Sequence, residues 1–248
     1  MKLAIMQPTY LPWVGYFQLI DAVDQFVFLD DVQLTKRSWQ VRNRIKTPQG
    51  ELYLSVPIDK APRSTLLHQA CVKNSLNWRA RHLQNIEQHY AKAAHFDIVF
   101  PTLSAALDDN ADSLVDSNIR VIEALCSVLG LTADFVRSSM LRETRASKGD
   151  GLLELCQLQS ATAYLSPLGS ADYLERDGSS DDFARAGITL TYQHYTPVAY
   201  TQRYGDFIPY LSVIDLLLNE GPQAALRILR AGARTPLTPA QVRERLAT

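Results

Sequence analysis

Asp30 and Asp31 close a short apolar run, Phe26–Leu29. A carboxylate at the end of a buried strand is placed to take a proton from an amine or hydroxyl, to bind a sugar hydroxyl, or to hold a divalent cation. Hydrated turn formation is the plainer role for such a pair. Just upstream, QPTYLPWVGY (Gln7 to Tyr16) sets an amide, two prolines, three aromatics and a glycine in one loop. Prolines stiffen a loop and lower the entropy cost of presenting side chains. Tyr10, Trp13 and Tyr16 are therefore expected to stack on a base or sugar ring and Gln7 to hydrogen-bond to it. Gly15, just ahead of a helix, is expected to let a phosphate approach the backbone.

Immediately after the acidic pair, KRSWQVRNRIK (Lys36 to Lys46) gathers five of the 25 basic residues and no acid. Alternation places Arg42, Arg44 and Lys46 on one face. Guanidinium forks suit phosphate, so these three, with Arg37 in the same run and Trp39 for stacking, are the expected phosphate grip. A solvated strand face is the competing reading. AYLSPLGSADYL (Ala163 to Leu174) adds Ser166, Ser170 and Tyr173 as substrate contacts. Lys148, in the loop SKGDG, is a weaker phosphate candidate. His194 follows a predicted strand and is a further candidate for the crevice. His82 and His89 are seven apart, too far for the usual i, i+4 metal pair, and no metal site is expected. Asp215 interrupts the apolar stretch LSVIDLLL and must meet water or a partner such as an arginine or a backbone N–H.

The elements that would position these residues follow from periodicity. Leu3–Met6 and Phe26–Leu29 are continuous apolar runs, as expected for parallel strands buried on both faces. Tyr16–Val23 between them has helical spacing, completing a βαβ unit. Ser38–Lys46 alternates, TPQG (Thr47 to Gly50) is a turn, and Leu52, Leu54 and Val56 restart a strand, giving an antiparallel hairpin. Trp78–Ala94 and Leu103–Leu129 are helical, with Gly130 as a C-cap. Ser138–Gly151 is the best loop. Strands are expected at Asp134–Val136, Ala163–Leu165 and Ile188–Tyr192, and helices near Gly151–Leu158 and over Tyr210–Leu218, the latter ended by Gly221-Pro222. A short helix and a terminal amphipathic turn follow, with Thr238-Pro239 as N-cap and N1. The expected fold is α/β: a mostly parallel Rossmann-like sheet with flanking helices and an antiparallel hairpin. It is read as a single domain over residues 1–248, with the helical segment 77–130 as a sub-lobe. On such sheets ligands bind outside the carboxyl ends of the strands.

Composition narrows the function classes. The chain has 248 residues, 46% hydrophobic, with 25 Lys+Arg against 26 Asp+Glu and a net charge of −1. That describes a globular protein and gives no global attraction to DNA or anionic lipid. Cys71, Cys126 and Cys156 form no C-x-x-C and are expected to be buried reduced thiols, which fits the cytoplasm. Neither a signal peptide nor a membrane span is expected. GxGxxG, GxxxxGK[ST] and GxSxG are all missing, against a standard dinucleotide site, a P-loop or a nucleophile elbow.

MQPTYLPWVGYFQLID, FLDDVQLTKRSWQVRNRIK, LELCQLQSATAYLSPLGSADYL and FIPYLSVIDLLLNEG together resemble the WbqC-like family, from Met1 to about Gly221. The resemblance implies a role in bacterial O-antigen or other surface-polysaccharide biosynthesis. It also implies action on a sugar precursor and transfer of an acyl or aminoacyl group, glycyl for example, to an amino sugar. Pro167 departs from the resemblance, which implies a second glycine there. The expected function is thus an enzyme acting on a sugar-phosphate or nucleotide-sugar, with Asp30 or Asp31 deprotonating the attacking amine or hydroxyl. ATP, an activated amino acid or an aminoacyl-tRNA is the implied donor. Three alternatives stay open. A nucleotidyltransferase using ATP or CTP is one, although Trp13-Val14-Gly15-Tyr16 lacks both histidines of the His-x-Gly-His loop. A non-catalytic partner-binding module is the second. RNA binding by the basic hairpin is the third, with the neutral net charge against it.

Overall fold

The computed structural model describes residues 1–108, 111–142 and 148–247. The chain opens with β1 (Lys2–Met6), α1 (Val14–Asp21) and β2 (Gln25–Phe28), then the hairpin β3 (Arg42–Thr47) and β4 (Gly50–Ser55). Three helices follow: α2 (Trp78–Tyr90), α3 (Phe96–Leu107) and α4 (Leu114–Leu129). Next come β5 (Asp134–Arg137), α5 (Ser138–Leu141), α6 (Lys148–Leu158) and β6 (Ala163–Ser166). The chain ends with α7 (Ala171–Arg176), α8 (Ser180–Arg185), β7 (Thr189–Tyr195), α9 (Val213–Ala231), β8 (Ala233–Leu237) and α10 (Pro239–Leu246).

The sheet runs β5-β2-β1-β6-β7-β8, with every pairing parallel except β7 with β8. The hairpin is a separate two-stranded ribbon. This is the mixed, mostly parallel α/β architecture that the apolar runs imply. Strand side chains alternate between two faces, and here both are covered. Ala4, Phe26 and Phe28 join the core beneath α1, α2, α3, α4 and α9. Leu3, Ile5 and Val27 point the other way, into the core beneath α6, α7, α8 and α10.

Local chemistry explains where the elements end. The expected helix Leu103–Leu129 is two helices: α3 stops at Leu107, and Ser113 caps α4 by accepting the Asp116 N–H at 3.2 Å. Gly130 ends α4 with φ +71°, as a C-cap glycine should. The helix expected to end at Gly221-Pro222 instead continues as α9 through a kink. Gly221 takes φ +77°, and a Cβ there would lie 2.6 Å from His95 Nδ1. Thr238 and Pro239 are the N-cap and first residue of α10. Cys126 and Cys156 are buried, and burial pushes both thiols up to about 12. Cys71, expected to be buried, is exposed. Strand β8 was not anticipated: it is a mostly exposed edge strand carrying Pro236, with no apolar run to mark it.

Candidate functional site

The sheet reverses its order at β1. The chain leaves β1 toward β2 on one side, while β6 and β7 extend the sheet on the other. In an open parallel sheet that reversal leaves a crevice at the carboxyl ends of the strands. The residues following β1, β2 and β6, together with the last residues of β7, all contribute to a cavity there of about 620 Å³.

The loop after β1 is pinned rather than merely stiff. Asn43 Nδ2 donates to the carbonyls of Tyr10 and Leu11, at 3.2 and 2.7 Å. Asn118 Nδ2 donates to Pro8 O at 3.0 Å and Gln40 O at 2.9 Å. Both asparagines are buried, so these bonds meet little competition from water. The Tyr10 N–H donates to Trp39 O at 2.9 Å, fastening the loop to the segment that enters the hairpin. Trp13 packs against Tyr195 and Tyr210, with ring centroids 5.5 and 5.3 Å apart. A Cβ on Gly15 would fall 2.2 Å from the Trp13 indole. The glycine expected to admit a phosphate thus makes room for a tryptophan ring.

The cavity wall is uncharged. Rings come from Trp13, Tyr16, Trp39, Tyr173, Tyr195 and Tyr210; amides from Gln7, Gln40 and Gln193; hydroxyls from Thr9, Ser38 and Ser170. Aliphatic surface comes from Ile5, Met6, Leu29 and Leu152. Among the described residues lining it there is no carboxylate, histidine, lysine or arginine. Aromatic faces with amides and hydroxyls suit a neutral polyhydroxylated ring, and such a wall offers no counter-charge to a buried ion. Burial raises the phenols of Tyr16 and Tyr173 above their ordinary range, so both are neutral donors at physiological pH.

A side pocket of about 290 Å³ shares Met6, Thr9, Trp13, Trp39 and Tyr210 with this cavity and adds Asn43 and Arg44. Arg44 Nη1 contacts both oxygens of Glu51, at 2.6 and 2.8 Å, and the guanidinium lies 5.6 Å from the Trp39 ring centroid. Its Nε is buried without a hydrogen-bond partner. A buried donor left unpaired is costly, and a ligand oxygen would satisfy it.

Eight of the expected site residues meet at this cleft: Gln7, Trp13, Gly15, Tyr16, Trp39, Ser170 and Tyr173 in the cavity, and Arg44 beside it. The others lie elsewhere. Asp30 and Asp31 are buried in a closed network. Ser138 Oγ donates to Asp31 Oδ1 at 2.7 Å, Ser139 Oγ to Asp30 Oδ2 at 2.8 Å, and Arg142 Nε to Asp31 Oδ2 at 2.7 Å. Burial works to raise the Asp31 carboxyl, but the Arg142 and Ser138 bonds and the Arg142 charge hold it below the usual range. Neither carboxylate lines the cavity, so neither is placed to act as a general base on a ligand held there. Tyr10 is fully buried with its hydroxyl 2.8 Å from His82 Nδ1, which leaves no ring face for a ligand. Lys46 is sealed under residues 202–206, donating to Gln202 Oε1 at 3.2 Å, Gly205 O at 3.1 Å and Asp206 O. Its ammonium is spent on these acceptors rather than on phosphate. Arg42 lies over the Tyr53 ring, 4.9 Å from its centroid, and Arg37 sits on the exposed loop before the hairpin with φ +63°. Ser166 is buried, donating to Pro167 O at 3.3 Å, and its neighbours Pro167, Leu168, Gly169 and Ser170 line the cavity instead. Lys148 is exposed at the start of α6, away from the cleft.

Sequence reasoning missed Gln193, Tyr195 and Tyr210. The first two lie at the carboxyl end of β7, the position that the fold rule singles out, but the strand was expected to stop at Tyr192. His194, the residue considered there, does not line the cavity, whereas both its neighbours do. Asp215 is buried and accepts from the Tyr90 hydroxyl at 2.6 Å and the Tyr200 hydroxyl at 2.7 Å, partners unlike the arginine or backbone group anticipated. Among the described residues, no group of three or more His, Cys, Asp or Glu side chains is placed to hold a metal ion, and no helix is long and apolar enough to cross a membrane.

A family model described as the WbqC-like protein family matches residues 7–227. A Mycobacterium tuberculosis protein, named Uncharacterized protein Rv1507c, is 35% identical over 225 residues, covering 90% of this chain and 95% of its own length. No solved structure matches the chain.

Proposed function

This chain belongs to the WbqC-like protein family, and from that premise we propose that it is an enzyme of surface-polysaccharide precursor biosynthesis that transfers an acyl or aminoacyl group, such as glycyl, to the amine of a phosphorylated or nucleotide-linked amino sugar. The observation that carries the reading is the pairing of two pockets. An uncharged chamber of rings, amides and hydroxyls opens beside a smaller pocket whose arginine has an unsatisfied Nε. A sugar-phosphate has the same division: a neutral ring and a charged phosphate.

The chamber also bears on the chemistry. An amine attacks an acyl carbon only as the free base. Transfer from water into an uncharged wall disfavours the ammonium form, because a buried charge without a partner is expensive. Desolvation in this chamber therefore favours the nucleophilic amine with no carboxylate beside it. In the transfer the amine nitrogen forms a bond to the acyl carbon, the bond from that carbon to the activating group breaks, the activating group leaves with the bonding electrons, and one proton passes from nitrogen to the departing group. The donor is an activated acyl or aminoacyl compound. Asp30 and Asp31 hold the end of β2 in place and touch no reacting atom.

Thermal stabilisation by a panel of nucleotide-sugars tests the reading. At millimolar concentration at least one member is expected to raise the melting temperature, and Arg44→Ala to remove most of that gain. No shift from any member, with Arg44→Ala indistinguishable from the parent protein, would overturn it. Pyrophosphate release from ATP or CTP with the sugar-phosphate alone would favour nucleotidyl transfer instead.

A further inference from the structure

Two glutamines in the cavity wall are locked with opposite polarity. The backbone N–H of Thr35 donates to Gln40 Oε1 at 2.7 Å. A backbone N–H only donates, so the Gln40 amide has one permitted orientation. Gln40 Nε2 then donates to Gln7 Oε1 at 2.8 Å. That fixes Gln7 in turn and leaves its Nε2, a pure donor, without a partner among the described residues. The Tyr16 hydroxyl holds the Gln7 backbone by donating to its carbonyl at 3.1 Å.

Gln193 is fixed by the converse argument. Its Nε2 donates to Gly15 O at 2.8 Å and to Gln18 Oε1 at 2.5 Å. A backbone carbonyl only accepts, so this amide also has one orientation, and both its N–H groups are used. The remaining atom is Oε1, a pure acceptor with no partner among the described residues. Gln7 and Gln193 line the same cavity; Gln7 stands in the loop between β1 and α1, and Gln193 is tied to the first turns of α1, into which that loop runs.

We propose that Gln7 and Gln193 are the specificity pair of this cavity, selecting a neutral secondary amide, the acylamino substituent of a sugar, with its carbonyl oxygen on Gln7 and its N–H on Gln193. The inference rests on the reading of the cleft as a sugar site and names the group recognised there. An acylamino substituent presents an acceptor and a donor on separate atoms and can satisfy both glutamines at once. A hydroxyl has one oxygen and a weaker claim on both. An ammonium has no acceptor for Gln7 and brings a charge that the wall cannot pair. In the proposed transfer this amide is the one formed: the N–H that remains on the sugar nitrogen rests on Gln193 and the new carbonyl rests on Gln7.

The test is calorimetric titration with UDP-N-acetylglucosamine and UDP-glucosamine at pH 6, where the latter's amine is charged. The parent protein is expected to prefer the acetamido ligand by tenfold or more. Gln7→Glu keeps an acceptor for Gln40 Nε2 but turns a carboxylate oxygen toward the ligand. It is expected to lose at least tenfold in acetamido affinity and to reverse the preference. Gln193→Met is expected to weaken acetamido binding several-fold without reversal. Equal affinity of the parent for the two ligands, or an unchanged order in Gln7→Glu, overturns the specificity pair and leaves the sugar site standing. Binding of neither ligand, while another nucleotide-sugar raises the melting temperature, overturns the acylamino assignment alone. Binding of neither, with no stabilisation by any nucleotide-sugar, overturns the site as well. Hydrogen exchange of the side-chain amides needs no variant. Gln193 Nε2 is expected to be protected and Gln7 Nε2 to exchange near the solvent rate, and the reverse pattern overturns the proposal.

Discussion

Two regions lie at the ends of the neighbouring strands β1 and β2 and treat polar groups in opposite ways. At the end of β2, Asp30, Asp31, Ser138, Ser139 and Arg142 are bound into one network, which Arg142 extends to Gly151 and Glu154. At the end of β1, the cleft carries amides with unpaired ends and rings with open faces, and no charge in its main chamber. The carboxylates at the β2 end are satisfied internally, while in the cleft the unmet atoms are the neutral amides of the main chamber and, in the side pocket, Arg44 Nε. Lys46 and Asp215 follow the first pattern, since each is buried and fully engaged with protein groups. Perturbed or buried ionisable residues mark functional sites only as a tendency, because structural networks perturb them too. Here the larger signal is the cavity with unmet hydrogen-bonding atoms.

The sharpest way to break this contrast is Asp31→Ala. It strips the Arg142 guanidinium, whose side chain is 5% exposed, of its carboxylate at the β2 end. Arg142 keeps Glu154 at 2.9 Å, so the expected loss is about 3 kcal/mol, the lower end for a broken buried pair. Chemical denaturation measures it, and an unchanged midpoint would mean the network is not structural. Acid should act next most strongly, through His82 behind the cleft. Burial holds its imidazole down at about 4, against the ordinary 6.5, so the unfolded chain takes up a proton that the folded chain refuses. Stability is then complete above pH 6.5 and falls as pH drops, by about 2 kcal/mol between pH 7 and pH 5. Denaturation midpoints across that range check the slope, which His82→Leu should flatten.

Asp215→Asn is a smaller perturbation. One of Tyr90 and Tyr200 would face an amide N–H in place of an acceptor, costing about 1–2 kcal/mol. Thermal melting should show the loss with ligand binding retained, since Asp215 does not line the cleft. Gln40→Leu has the least effect on stability, about 1 kcal/mol for the lost Thr35 and Gln7 bonds. Its consequence for the cleft is larger. With Gln7 free to turn, discrimination between acetamido and ammonium ligands should shrink in the calorimetric titration.

Much of this was legible in the residues. The continuous apolar runs at Leu3–Met6 and Phe26–Leu29 mark strands buried on both faces, and the proline-bearing loop between them forms one wall of the cleft. What stayed hidden depended on contacts distant in sequence. Alternation gives the face on which Lys46 lies but not that residues 202–206 cover it. The aspartate pair reads as an open catalytic group until Ser138 and Ser139, more than 100 residues later, are seen to close on it. Gln193 escaped because a strand end misplaced by three residues shifted attention to His194, on the other side of the pleat. The polarity of Gln7 is invisible in sequence, since it depends on the Thr35 N–H acting through Gln40.

A crystal structure of the protein with UDP-N-acetylglucosamine tests the central claim most directly. The account predicts the sugar in the uncharged chamber, its acetamido group between Gln7 and Gln193, and a phosphate oxygen on Arg44 Nε. Sugar density against Asp30 or Asp31 with the chamber empty would contradict it.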